Sequence, residues 1–167
     1  HSVGIDVNQI NDDGETPLVV ACRSKKFRMV EHLLSHPDIQ VNKRGKQLSA
    51  LHYACQHPSL LTILLPSQQL DVNVQTIDWF SPLFIACQNG SKHIVAILLQ
   101  HPKIEVNQSE QKTGRGKRPL HAACENSQLE AMRLLFQHPD IDVNLTTMDG
   151  FTPLYTACEH NRHEVIR

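Results

Sequence analysis

Apolar residues along this chain fall in short bursts at helical spacing, and the bursts recur. Leu18, Ala21 and Cys22 lie at i, i+3 and i+4, so they line one face of a helix. The same triplet returns as Leu51/Ala54/Cys55, Leu83/Ala86/Cys87, Leu120/Ala123/Cys124 and Leu154/Ala157/Cys158. A second burst comes after a polar gap: Val30/Leu33/Leu34, Leu61/Leu64/Leu65, Val95/Leu98/Leu99 and Met132/Leu135/Phe136. Each unit is therefore expected to hold two short helices, the first lined with small side chains. Thr16-Pro17, Ser81-Pro82 and Thr152-Pro153 set a hydroxyl at the N-cap and Pro at the first helical position. His36-Pro37, His101-Pro102 and His138-Pro139 stop the second helix, because Pro cannot continue it. Ile39/Val41, Ile104/Val106 and Ile141/Val143 then alternate with period two, which predicts a short extended stretch.

Two independent markers give the unit length. The five cysteines, Cys22, Cys55, Cys87, Cys124 and Cys158, are spaced by 33, 32, 37 and 34 residues. A Val-Asn pair ends at Asn8, Asn42, Asn73, Asn107 and Asn144, with spacings of 34, 31, 34 and 37. Both report a repeat near 33–34 residues with one shortened and one lengthened copy.

Helix, helix and extended finger at this period, headed by "NDDGETPLVVAC", "LSALHYAC", "WFSPLFIACQNG", "GKRPLHAAC" and "DGFTPLYTAC", resemble the ankyrin repeat over essentially the whole chain. The resemblance implies an all-α fold: an ankyrin-repeat solenoid of stacked helix-turn-helix units with β-hairpin fingers. The expected partition is a single array, 1–167. It runs as the tail of a preceding repeat (1–8), four repeats (9–42, 43–73, 74–107 and 108–144) and a truncated fifth (145–167). The missing helices ahead of Gly4–Asn8 and the stop at Arg167 predict a segment of a longer protein. Departures from the pattern are informative. The second unit has Ala50 for Pro and is two residues short after Cys55, so its turn should differ. The fourth has Arg118 where the N-cap hydroxyl belongs. Gly14, Gly116 and Gly150 occupy a finger position that is Gln47 and Trp79 elsewhere, and a bulky residue at φ > 0 is strained.

Composition adds exclusions. With 20% charged residues and a net charge of −1, the chain has no overall bias toward nucleic acid or a membrane surface. No apolar run reaches transmembrane length, and no secretory leader is recognised at the start. Five cysteines without a Cys-x-x-Cys pair suit a reduced, intracellular setting, cytoplasmic or nuclear. Neighbouring helices lie about 8–10 Å apart, too far for a disulfide, and one thiol per unit cannot converge on a metal. The cysteines are thus expected to be small core hydrophobes. Eleven histidines suggest no metal site either. His36, His101 and His138 repeat at one position, near second-helix C-termini where positive charge is favourable. His52 and His121 fall at the family's T-P-L-H position, which implies a ring bonded to loop backbone. No nucleophile–base set recurs, and "TGRGKR" lacks phosphate-loop spacing. No enzyme, cofactor or metal is expected.

The resemblance implies a non-enzymatic scaffold that binds a partner protein on the concave face of finger tips and first helices, as a monomer. Residue by residue, the candidate partner-binding set is Leu48, Ile77, Trp79, Phe80, Arg115, Lys117, Met148 and Phe151 on the fingers. Gln88, Asn89, Glu125 and Asn126 join them from the first helices. Charge shifts from acidic in the first finger (Asp12, Asp13, Glu15) to basic in "QKTGRGKR", 111–118. Two alternatives accompany this reading. One is a recruitment module of a larger enzyme or effector whose catalytic domain lies outside the segment. The other is anionic-ligand binding through the basic 112–118 loop, with Lys112, Arg115, Lys117 and Arg118.

Overall fold

Short Pro-led segments become helices here because their first turns are capped. In a computed structural model, which describes residues 5–46, 48–110 and 115–166, α1 spans Pro17–Arg23. Thr16 Oγ1 accepts the amide of Val19 at 3.3 Å. The same device starts α5 (Pro82–Gln88), where Ser81 Oγ accepts from Phe84 at 3.2 Å. It also starts α9 (Pro153–Glu159), where Thr152 accepts from Tyr155 at 3.2 Å. The remaining helices are α2 (Phe27–Leu34), α3 (Ala50–Ala54), α4 (Pro58–Leu64), α6 (Lys92–Leu99), α7 (Pro119–Glu125) and α8 (Leu129–Phe136). A 3-10 turn, His163–Ile166, comes after α9. Gln47 and residues 111–114, which include Lys112, lie outside the described residues.

The helices form two compact units, His1–Ile77 and Asp78–Arg167. In the first, α1 packs on both α2 and α3, α3 on α4, and α2 meets α4. In the second, α7 packs between α5 and α9 in one row, and α6 lies against α8 in the other. Each unit is thus two layers of helices, and the core lies between the layers. Leu18, Leu51, Leu83 and Leu120 are all buried there, as are Ala21, Ala54, Ala86 and Ala123. Full burial of each leucine stabilises by roughly 1.5–3 kcal/mol. The second bursts supply the facing layer through Val30, Leu61, Leu64, Val95, Leu98, Met132 and Leu135. Leu154 and Phe136 break the pattern and are exposed.

The two-residue deletion after Cys55 is absorbed inside a helix. The first helix α3 has five residues where α1, α5 and α7 have seven. Three residues link each pair in either case, yet only the longer pairs turn through a left-handed residue: Lys25, Gly90 or Ser127. At Gly90, φ +64°, an added Cβ would stand 1.9 Å from Gln128 Oε1, so the Gln128 amide would have to swing away.

The fingers differ from the expected β-hairpins. No described residue lies in a strand. Each finger is a turn closed by a backbone bond, such as Asn11 N–Glu15 O (3.0 Å), Glu110 N–Lys117 O (2.8 Å) or Thr147 N–Phe151 O (2.8 Å). The recurring asparagines explain the second sequence marker. Asn8 donates to Asp38 O (2.7 Å) and accepts from Gln40 N (2.8 Å). Asn42 makes the same pair of bonds with Gln69 and Asp71, and Asn107 with Asp140 and Asp142. Each side-chain amide therefore satisfies one donor and one acceptor on the turn about one period later, which fixes the spacing between repeats.

Candidate protein-binding surface

Each finger is positioned by the helix that comes next in the chain. Phe80 stacks on Phe84 of α5, four residues on, with centroids 5.0 Å apart. Phe151 stacks on Tyr155 of α9 at 4.4 Å. These two pairs clamp a finger to the first turn of its helix. Sequence reasoning placed Phe80 and Phe151 on the surface but missed Phe84 and Tyr155; an aromatic pair at i, i+4 across the T-P-L head is the signal that finds them. The fourth finger uses a different clamp. Arg118 offers no hydroxyl to cap a first-turn amide of α7, and the start of that helix is held by the imidazole of His121. His121 Nδ1 accepts the amide of Arg118 at 3.3 Å, and Nε2 donates to Phe151 O at 2.9 Å. Both bonds require a neutral ring with the proton on Nε2. Burial lowers the pKa of His121 below its ordinary 6.5, with the Arg118 and Lys117 charges adding to it against the bond to Phe151.

The charges are largely matched at home. Lys117 Nζ lies 2.6 Å from Glu125 Oε2, and His160 Nε2 lies 3.4 Å from the other oxygen. Arg162 Nε donates to Glu125 O at 2.8 Å. Arg118 donates to Gly116 O and Thr146 O across the gap to the next finger. Of the basic stretch, Lys117 and Arg118 are therefore engaged, and Arg115 stands exposed. Arg115 O also accepts the amide of Met148 at 2.7 Å, which joins neighbouring fingers.

What remains open to a partner is mostly apolar or amide. Trp79 is 46% exposed and Met148 77%. Trp79 holds φ +63° at the position where Gly14, Gly116 and Gly150 have φ +72°, +67° and +81°. A non-glycine residue there is strained by roughly 1–2 kcal/mol. Gln88 and Asn89 are exposed at the end of α5; Asn126 is exposed at the end of α7, where its amide donates to Ala122 O at 2.9 Å. Ile77 is exposed and Leu48 half-buried, but both belong to the first unit. Leu48 lines a cleft of about 350 Å³ there with Tyr53, Arg23 and Glu15. Arg23 and Glu15 form a two-pronged ion pair at 3.1 and 2.8 Å, so part of the first finger's acidity is neutralised.

The thiols serve the core. All five are free; Cys22, Cys55, Cys87 and Cys124 are buried and Cys158 is exposed. Desolvation pushes Cys22, Cys55 and Cys124 up to about 12, and Cys87 up as well. Such thiols stay protonated and unreactive at neutral pH. The histidines of the His-Pro turns close the turn with a ring nitrogen. His36, His101 and His138 each accept the amide two residues on with Nδ1, at 3.2–3.3 Å. Among the described residues, no three His, Cys, Asp or Glu side chains converge, and no helix is long and apolar enough to cross a membrane.

The sequence profile described as ankyrin repeats (3 copies) matches residues 1–76, 56–147 and 83–167. The chain is 36% identical over 99 residues to Ankyrin repeat and SOCS box protein 5 of Mus musculus, covering 59% of this chain and 29% of that protein. It is 30% identical over 111 residues to the putative ankyrin repeat protein YahD of Escherichia coli, covering 65% and 54%. It is 41% identical over 101 residues to SMC5-SMC6 complex localization factor protein 1 of Bos taurus, covering 58% and 10%. The matched region is thus about half or less of each of these relatives.

Proposed function

Because this chain belongs to the ankyrin-repeat family, whose repeats are in general protein–protein interaction modules, we propose that it recognises a partner protein through its finger tips and first-helix ends. The proposal includes the partition into four repeats and a partial fifth, and takes the array as a non-enzymatic scaffold. One observation carries the choice of surface. Trp79 and Met148 are large apolar side chains held out on fingers, and Trp79 sits in a left-handed conformation that a glycine would adopt without strain. Exposed aromatics beside matched charges suit the anchors of an interface. Phe80 belongs to this surface as a support, since its ring is committed to Phe84.

The test is a capture experiment with the whole chain as bait, then titration of the captured protein against Trp79→Ala/Met148→Ala. The expected result is binding at least tenfold weaker with an unchanged melting profile. Equal affinity would remove this surface. The reading as a recruitment module of a larger protein gains support from the greater length of the named relatives. The anionic-ligand reading loses ground, because two cations of the 112–118 stretch are already engaged within the chain.

A further inference from the structure

The residue after each repeat's cysteine is open to solvent throughout the chain, and what it carries changes from repeat to repeat. Arg23, Gln56, Gln88 and Glu159 are exposed there and Glu125 is half-buried, so exposure at this position belongs to the repeat and not to a missing neighbour. In the fourth repeat the position is closed by charge, since Glu125 holds Lys117 at 2.6 Å. In the third it is neutral and open. The side-chain amides of Gln88 and Asn89 are exposed and make no hydrogen bond to the described residues. Asn126 donates to Ala122 O at 2.9 Å, and its own amide oxygen has no donor among them. These three amides stand at adjoining helix ends: α5 packs on α7, and Gln128 Nε2 donates to Gln88 O at 3.3 Å. Trp79 stands on the finger that Phe80 clamps to α5. It is 46% exposed although the next finger is in place, so no chain end accounts for it.

Charge around these amides cancels. On the third and fourth fingers and the ends of α5 and α7, Asp78, Glu110 and Glu125 stand against Arg115, Lys117 and Arg118 among the described residues. The last repeat adds Asp149, Glu159 and Arg162, so neither sign dominates. A charged ligand would give up water to meet both signs. A side-chain amide instead offers one acceptor and two donors, the complement of the C=O and N–H of a peptide unit. A large aromatic beside adaptable amides is also the composition that recognises polypeptide at low cost in side-chain entropy.

We propose that Trp79 and the ends of α5 and α7 take an uncharged, extended peptide segment of a partner protein. Its main-chain N–H and C=O groups pair with the amides of Gln88, Asn89 and Asn126, and an apolar side chain covers the Trp79 indole. The inference rests on the reading of this face as a partner surface and adds the chemistry of the partner.

A random peptide display library panned on the whole chain tests it. Enriched peptides are expected to hold an aromatic or large aliphatic residue and no excess of either charge. Their affinity should change less than about twofold between about 0.05 and 0.5 M salt. It should fall about tenfold for Gln88→Ala/Asn89→Ala. Both amides are exposed and unbonded, so that variant should melt with the parent. Enrichment of acidic or basic peptides, a steep loss with salt, or indifference to the amide variant would overturn the neutral-partner inference. The surface itself would still stand if those peptides bound more weakly to Trp79→Ala/Met148→Ala. Peptides indifferent to that variant too, or no enrichment at all, would overturn the surface as well.

Discussion

The starts of α5 and α7 solve one structural problem by different physics. Both must cap a helix whose first residue is Pro and hold a finger against it. At α5 the jobs are split: Ser81 caps the amide of Phe84, and the Phe84 ring holds Phe80 by stacking. At α7 no hydroxyl caps a first-turn amide, and one residue makes two bonds around the helix start. His121 accepts the Arg118 amide and donates to the carbonyl of Phe151 on the next finger. The first solution is spread over dispersion and a hydroxyl and does not depend on pH. The second concentrates two bonds in one fully buried imidazole, which must be neutral. Concentration makes α7 the more fragile start.

That contrast is broken most directly at His121. His121→Leu leaves the Arg118 amide without its acceptor and takes one of two bonds from Phe151 O, which keeps the amide of Thr147, and should cost about 1–3 kcal/mol. Ser81→Ala removes one cap and should cost about 1 kcal/mol. Urea unfolding of the two variants measures both. Equal losses would mean that His121 is a filler and that the two starts are equivalent.

A smaller effect is expected at the asparagines, which join repeats as His121 joins a finger. Asn8 is 6% exposed and bonded on both sides, so Asn8→Ala should cost about 1–2 kcal/mol. Asn144 is exposed, and its side chain makes no such bridge among the described residues. Asn144→Ala should change the unfolding midpoint hardly at all. If the two variants behave alike, the bridges do not set the repeat.

Acid sharpens the comparison further. The unfolded ring of His121 binds its proton near pH 6.5, whereas burial lowers its affinity in the folded chain. The unfolded state therefore binds more protons below that pH, and stability falls as pH falls. The contribution is complete above about 6.5 and is lost as the pH drops toward the lowered folded value. Melting curves from pH 7.5 to 5 should show a downward slope for the parent and a shallower one for His121→Gln. Parallel slopes would place the acid sensitivity elsewhere among the eleven histidines.

The helices, their two layers and most of the core were legible because hydrophobic period and caps are local signals. Leu18, Leu51, Leu83 and Leu120 are buried where the pattern put them. The bonds between repeats were not legible, since Asn8 and Asp38 meet only after both turns have formed. Neither was the fate of charge. Lys117 and Glu125 are eight residues apart, a spacing with no helical meaning, and the finger's turn is what brings them to 2.6 Å. Cys158 was expected with the buried thiols and is exposed, because burial at that position depends on a neighbouring helix and not on the residue. Alternation at Ile39/Val41 and Ile104/Val106 predicted a short extended stretch, and the family resemblance implied β-hairpin fingers. Val41 and Val106 instead turn into the Asn bridges, and the backbone bonds within each finger close a turn without forming a described strand.

The smallest expected change is at Trp79, and its smallness is the point. Relieving a left-handed tryptophan is favourable by about 1 kcal/mol, while the freer unfolded chain of a glycine variant costs about as much. Trp79→Gly should therefore unfold within about 1 kcal/mol of the parent. Trp79→Ala, which keeps a Cβ at φ +63° without the indole, should be no more stable than the glycine variant. A half-exposed indole that leaves stability unchanged when removed is not retained for the fold, which is the property expected of a contact residue. A loss beyond about 2 kcal/mol on Trp79→Gly, on the scale of a buried aromatic, would make the indole a buttress of its finger and take away the observation on which the partner surface rests.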